Sequence, residues 1–135
     1  MTLDRLVAWK DIAGFSSAAR AYSGTVVYRT AFDLADAGRG PCVLDLGRCE
    51  AWAAVRVNGR AVATLWTPPY RCDIAAAVRS GRNELEIEVT SPWHNRLVYD
   101  AGLPEAQRKT WTICGPKSDA PLLESGLLGP VTLCR

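Results

Sequence analysis

Hydrophobic and polar positions alternate most clearly over residues 83–90. There Leu85, Ile87 and Val89 fall on one parity and Glu84, Glu86 and Glu88 on the other. A period of two sends successive side chains to opposite faces of a pleated strand. The strand feeds a loop, SPWHNRLVYD, that holds Trp93, His94, Asn95, Arg96, Tyr99 and Asp100. A strand leading into aromatic and hydrogen-bonding side chains is a common way to build a recognition site. The alternative is that Trp93 and Tyr99 close one end of a core, as most loop aromatics do.

The same pattern predicts further strands. Residues 25–34 place Val26, Tyr28, Thr30 and Phe32 on one face and Val27, Arg29, Ala31 and Asp33 on the other. Residues 36–40, DAGRG, read as a turn. Residues 42–46 form a strand whose alternation turns Cys42, Leu44 and Leu46 to the core. Residues 52–57 and 60–66 flank Asn58-Gly59, a pair that accepts the positive φ angles of a tight hairpin turn. Pro68-Pro69 then holds Trp66 and Tyr70 on a stiff corner. Residues 3–9 are expected to be a short strand and 16–24 a loop. Residues 73–80 are the one expected helical turn, capped by Asp73 and ended by Gly81. Residues 91–121 form a long connection with a short strand at 110–114, and 127–133 close the chain around Gly129-Pro130. Seven or eight short strands with almost no helix predict an all-β fold, a β-sandwich or jelly roll, in one domain over residues 1–135.

Composition narrows the function classes. Net charge is +2, from 16 basic and 14 acidic residues, with no basic block, so no nucleic-acid footprint is indicated. No apolar run reaches the length of a membrane span. The start, MTLDRLVAWKDIAG, lacks the apolar segment of a signal peptide. The chain is therefore expected to be cytoplasmic, or to be a piece of a protein whose export signal lies elsewhere. The five cysteines form no C-x-x-C pair, which removes zinc-ribbon and thioredoxin readings and favours reduced, structural thiols.

Candidate chemistry is sparse. His94 is the only histidine, and no spacing supplies it with a nucleophile and an orienting carboxylate. The glutamates at 84, 86 and 88 show what any solvated strand face shows. Asp100 and Glu105 are better placed to bond a ligand or a structural cation. No compact acidic loop marks a calcium site and no phosphate-binding loop is present, so no cofactor is expected, a structural calcium being the one alternative left open. What remains is a set of aromatics near strand ends, interleaved with polar groups. The candidate sugar-binding residues are Trp66, Tyr70, Arg71, Trp93, Asn95, Arg96, Asp100 and Trp111. Aromatic faces stack on the C–H faces of sugar rings and the polar groups bond hydroxyls; the same mix suits a protein interface.

The segments 22–34, 44–74, 81–100, KTWT at 109–112 and SGLLGPVTL at 125–133 occur in order. Together they resemble the β-sandwich domain near the C-terminus of family 106 α-L-rhamnosidases. That domain is itself similar to the galactose-binding-like sugar-binding domain of family 2 glycoside hydrolases. The V-x-V-N-G hairpin, the P-Y-x-x-D-I corner and G-x-N-x-L-x-I-x-V are widely shared among such domains. N-R-L-x-x-D, T-W-T and S-G-L-L-G-P-V are more specific to the rhamnosidase group. The chain departs from that pattern at Val98-Tyr99, where Ile-Gly is expected. The resemblance implies that a separate barrel carries the catalytic carboxylates, and no barrel fits in this chain. It implies a non-catalytic module whose partner is a carbohydrate, rhamnose-containing by analogy, or a catalytic hydrolase domain. An uncovered apolar face would then favour self-association.

Overall fold

The computed structural model describes residues 1–38 and 40–135. The turn expected over 36–40 contains Arg39, which lies outside the described residues. Nine strands run, among the described residues, as β1 (Thr25–Leu34), β2 (Val43–Asp45), β3 (Arg48–Glu50), β4 (Trp52–Val57), β5 (Arg60–Leu65), β6 (Arg71–Asp73), β7 (Gly81–Thr90), β8 (Gly126–Gly129) and β9 (Thr132–Cys134). They form an antiparallel four-stranded sheet in the order β1-β7-β4-β5, a three-stranded sheet β6-β2-β9, and the pair β3-β8. The all-β expectation holds.

Strand β7 is the spine of the larger sheet. All ten residues of β1 pair along it, from Thr25 with Thr90 to Leu34 with Gly81, and β4 pairs on its other edge. Its inward parity buries Leu85, Ile87 and Val89 against Val55 and Val57 of β4 and Leu44 of β2. The outward glutamates meet arginines across the strands. Glu86 takes Arg29 at 2.8 Å and Arg56 at 4.0 Å, exposed pairs worth a few tenths of a kcal/mol. Cys42, Leu44 and Leu46 are all buried, as their alternation predicts. The cysteines are unbridged among the described residues.

The inward parity of β7 continues to a polar residue, Asn83, which is fully buried. Its Oδ1 accepts from Asn58 Nδ2 and the Arg79 amide, and its Nδ2 donates to the Arg79 and Gly81 carbonyls. Asn58, at φ 50°, donates to Ala77 O and accepts from the Glu84 amide. The Asn-Gly hairpin is therefore tied to the approach to β7 by side-chain amides rather than by apolar contact.

Several expectations fail for local reasons. Residues 3–9 form no strand; a 3-10 turn at Trp9–Asp11 follows them, and the Trp9 amide bonds Ser125 O. Residues 16–24 hold a helical turn, α1 (Ser17–Arg20), capped by Ser16 Oγ. Residues 73–80 give one bonded turn at Ile74 rather than a helix, although Asp73 does cap it through the Ala75 amide. The stretch read as the loop of the recognition site is a helix, α2 (His94–Ala101), and 110–114 is not a strand.

Gly126 opens β8 at φ 105°, and a Cβ there would lie 2.4 Å from Trp9 Nε1 and 2.8 Å from the Tyr28 hydroxyl. Those two groups are hydrogen-bonded at 2.6 Å, so glycine is required for the closure of the N-terminal segment on β8.

Replacing Asn83 with Ala is expected to cost about 2–4 kcal/mol, because it strands buried amides and carbonyls. A urea titration should show a lower midpoint at unchanged slope. A loss under about 1 kcal/mol would contradict the role given to this side chain.

Candidate functional site

The corner after β5 carries Trp66 and Tyr70 on either side of a cis Pro68-Pro69 bond. Trp66 is 77% exposed, whereas Tyr70 is 8% exposed and donates its hydroxyl to Ala51 O at 2.7 Å. Ala51 sits between β3 and β4 at φ 131°, a strained backbone for an L-residue of the kind that gathers at ligand sites. Strand β3 brings Glu50 to this corner, and pairing of β3 with β8 brings in Glu124 and Ser125. The N-terminus of α2 adds Pro92, His94 and Asn95. These residues enclose an open cleft of about 540 Å3, large enough for a small ligand.

The polar groups of the cleft divide into committed and free. Asn95 Nδ2 donates to Leu123 O at 2.9 Å and its Oδ1 accepts from Leu123 N at 2.8 Å. His94 Nε2 lies 3.2 Å from Pro121 O. Arg48 bonds one oxygen of Glu50 at 3.0 Å and one of Glu124. The two carboxylates in turn push the Arg48 pKa up, first through the Glu124 hydrogen bond. Among the described residues, the second oxygen of each carboxylate accepts no hydrogen bond. Ser125 is 2% exposed, and its hydroxyl finds no hydrogen-bond partner among the described residues.

Other candidate residues lie elsewhere. Arg71 turns to Asp45 at 2.7 Å. The Gly47 amide and Arg71 hold that carboxyl below its usual range. Trp93 precedes α2 and is exposed but does not line the cleft. Trp111 borders a separate hollow of about 160 Å3, beside Asp100 and Thr110.

Asp100 organises that second region. It is 2% exposed, and its Oδ2 accepts from the Lys109 amide, the Thr110 amide, the Thr110 hydroxyl and Arg96 Nε. Arg96 Nη2 stands 2.7 Å from Oδ1 as an ion pair, and the guanidinium also covers the Tyr99 ring at 5.4 Å. Tyr99, the residue that departs from the resembled pattern, thus stacks on the arginine. Desolvation pushes the Asp100 pKa up, but the hydrogen bonds from Thr110, Arg96 and the amides outweigh it and hold the carboxyl below its ordinary value.

Of the residues proposed from the sequence, Trp66, Tyr70 and Asn95 line the cleft; Glu50, Glu124 and Ser125 also line it and carry no signal in the sequence. The glutamates are brought together by a three-residue strand pairing that leaves no alternation to read. Among the described residues, no cluster of three or more metal-ligating side chains occurs.

Fold and cleft define an antiparallel β-domain of the galactose-binding type, with a ligand-sized cleft at a strand-end corner. The chain belongs to the glycosyl hydrolase 2 galactose-binding domain-like family, whose model matches residues 17–120. It is 32% identical, over a 157-residue alignment, to a Formosa agariphila protein that carries the name "Putative beta-glucuronidase". That alignment covers 96% of this chain and 13% of the relative. A rhamnosidase from Novosphingobium sp. PP1Y is 43% identical and superposes with a TM-score of 0.86, over 97% of this chain and 12% of that one. A beta-D-glucuronidase from Dictyoglomus thermophilum is 26% identical at a TM-score of 0.56, over 74% and 17%. The chain thus spans about an eighth of the first two relatives, matching only an accessory portion of each.

Because the native pKa of Asp100 lies below its unfolded value, its contribution to stability is complete above the unfolded pKa of about 3.9 and is lost as pH falls through the native one. Asp100→Asn should destabilise the protein by about 2–4 kcal/mol at neutral pH. It should also flatten the loss of stability below about pH 4. Thermal melts across pH that show wild type and variant falling in parallel would contradict this.

Proposed function

We propose that this chain is a non-catalytic carbohydrate-binding module, of the accessory-domain type found in α-L-rhamnosidase-like glycoside hydrolases. The ligand is a sugar, rhamnose-containing by analogy with the rhamnosidase relative. The observation that carries the reading is the exposed indole of Trp66 at the rim of a cleft whose free polar atoms include carboxylate oxygens. An aromatic face beside hydrogen-bond acceptors matches a sugar ring, with its apolar C–H face and outward hydroxyls. The proposed roles are stacking for Trp66, shaping of the wall for Tyr70 and Asn95, and support of the adjoining connection for Arg96 and Asp100.

A second reading is a structural domain that packs on a hydrolase barrel without binding sugar itself. It is favoured by the small share of each relative that the chain spans. Trp111 and Ile113 also stand exposed, close together on the connection after α2. On this reading the isolated chain self-associates through such surfaces.

Titration calorimetry with rhamnosides and rhamnose-containing polysaccharides should give micromolar to millimolar affinity. Trp66→Ala should weaken it about five- to tenfold, while Trp111→Ala leaves it unchanged. Absence of heat at millimolar sugar, together with concentration-dependent sedimentation that Trp111→Ala abolishes, would favour the second reading.

A further inference from the structure

We infer that the cleft selects neutral, hydroxyl-rich sugars and excludes uronates. The inference rests on the reading of the cleft as a sugar site and adds the chemical class of ligand. The cleft's hydrogen-bonding inventory is lopsided. The Asn95 carboxamide is spent on both backbone groups of Leu123, and the Tyr70 hydroxyl on Ala51 O. The side-chain atoms left open, among the described residues, are an oxygen of Glu50, an oxygen of Glu124, His94 Nδ1, the Ser125 hydroxyl and one pure donor, the Trp66 indole N–H at the rim. Ionised carboxylates only accept hydrogen bonds, so the complementary ligand donates them. A sugar hydroxyl does so and a carboxylate does not.

The electrostatics point the same way. No lysine or arginine lines the cleft among the described residues. Arg48 is the cation nearest to the two glutamates in bonding terms, but its guanidinium is occupied by both of them and is outnumbered. A uronate entering here meets two like charges over a paired cation, and like-charge juxtaposition across an interface is strongly unfavourable. The N-terminus of α2 offsets little of this, since eight residues supply only a fractional dipole charge against full carboxylates.

Ser125 is the independent mark of a ligand. Its hydroxyl is buried in the wall of the cleft without a partner among the described residues. A buried hydroxyl left unpaired is costly, and a hydroxyl group or its bridging water arriving in the cleft would relieve that cost.

The test uses matched sugars on the intact chain. Methyl rhamnoside, methyl galactoside, methyl galacturonide and the methyl ester of the galacturonide are titrated at low ionic strength, with amide and indole NMR shifts as the readout. Neutral sugars should bind at least about tenfold more tightly than the free uronate, equivalent to about 1.4 kcal/mol. The uncharged ester should bind like the neutral sugars, and added salt should narrow the gap. A double variant, Glu50→Gln with Glu124→Gln, should close the gap or reverse it by freeing Arg48. A galacturonide that binds wild type as tightly as the galactoside or its own ester overturns the inference and leaves the sugar-site reading standing. If no sugar of either charge shifts any resonance at millimolar concentration, the sugar-site reading falls and the inference falls with it.

Discussion

The constraint on which this structure depends is the satisfaction of backbone groups in the connection after α2. Residues 102–125 run almost without regular pairing, yet every buried amide and carbonyl needs a partner. Two side chains of α2 do much of this work. Asp100 gathers the amides of Lys109 and Thr110, and Asn95 reproduces a strand-like exchange with both backbone groups of Leu123. The second clamp places the next two residues, Glu124 and Ser125, at the cleft. Their position is then fixed by β8, which pairs with β3 and so sets Glu50 opposite.

The cleft is therefore built on polar bonds at its rear and carries its free acceptors at the front. Trp66 arrives independently, from the hairpin of β4 and β5, and like Trp93 and Trp111 it stands exposed; of these three it is the one that lines the cleft. The family-marking residues and the residues open to a ligand are largely different sets. Asn95 and Arg96 bond within the chain, as does Asp100 through Oδ2, its Oδ1 meeting only the Arg96 ion pair; among the described residues, Glu50, Glu124, Trp66 and Ser125 keep surfaces or atoms unspent.

Where the chain alternates over a long stretch, its sequence was enough. Strands β1, β4 and β7 and the Asn58-Gly59 hairpin were readable because each half-buried face carries a long apolar parity. Helix α2 was not readable, because its buried positions are Asn95, Val98 and Asp100. The helix is amphipathic, but eight residues are too few for a 3.6-residue period to stand out, and its polar residues read as a loop. Residues 3–9 misled in the opposite sense. Their apolar side chains pack on the sandwich edge, but the backbone is held by Ser125 rather than by a ladder. Strand β2 is as short as β3, β6 and β9, but the apolar alternation of Cys42, Leu44 and Leu46 runs past its ends; β3 has no such flanking pattern, so the meeting of Glu50 with Glu124 was hidden while Trp66 beside its prolines was visible.

On the function proposed above, the cleft at Trp66, and not the hollow at Trp111, receives the ligand. Mapping a saturating rhamnoside onto the assigned amide and indole resonances of the intact chain tests this most directly. The Trp66 indole and the Ala51, His94 and Ser125 amides should shift, with the Trp111 indole unmoved. Shifts centred on Trp111, Thr110 and Asp100, with the Trp66 indole silent, would contradict it.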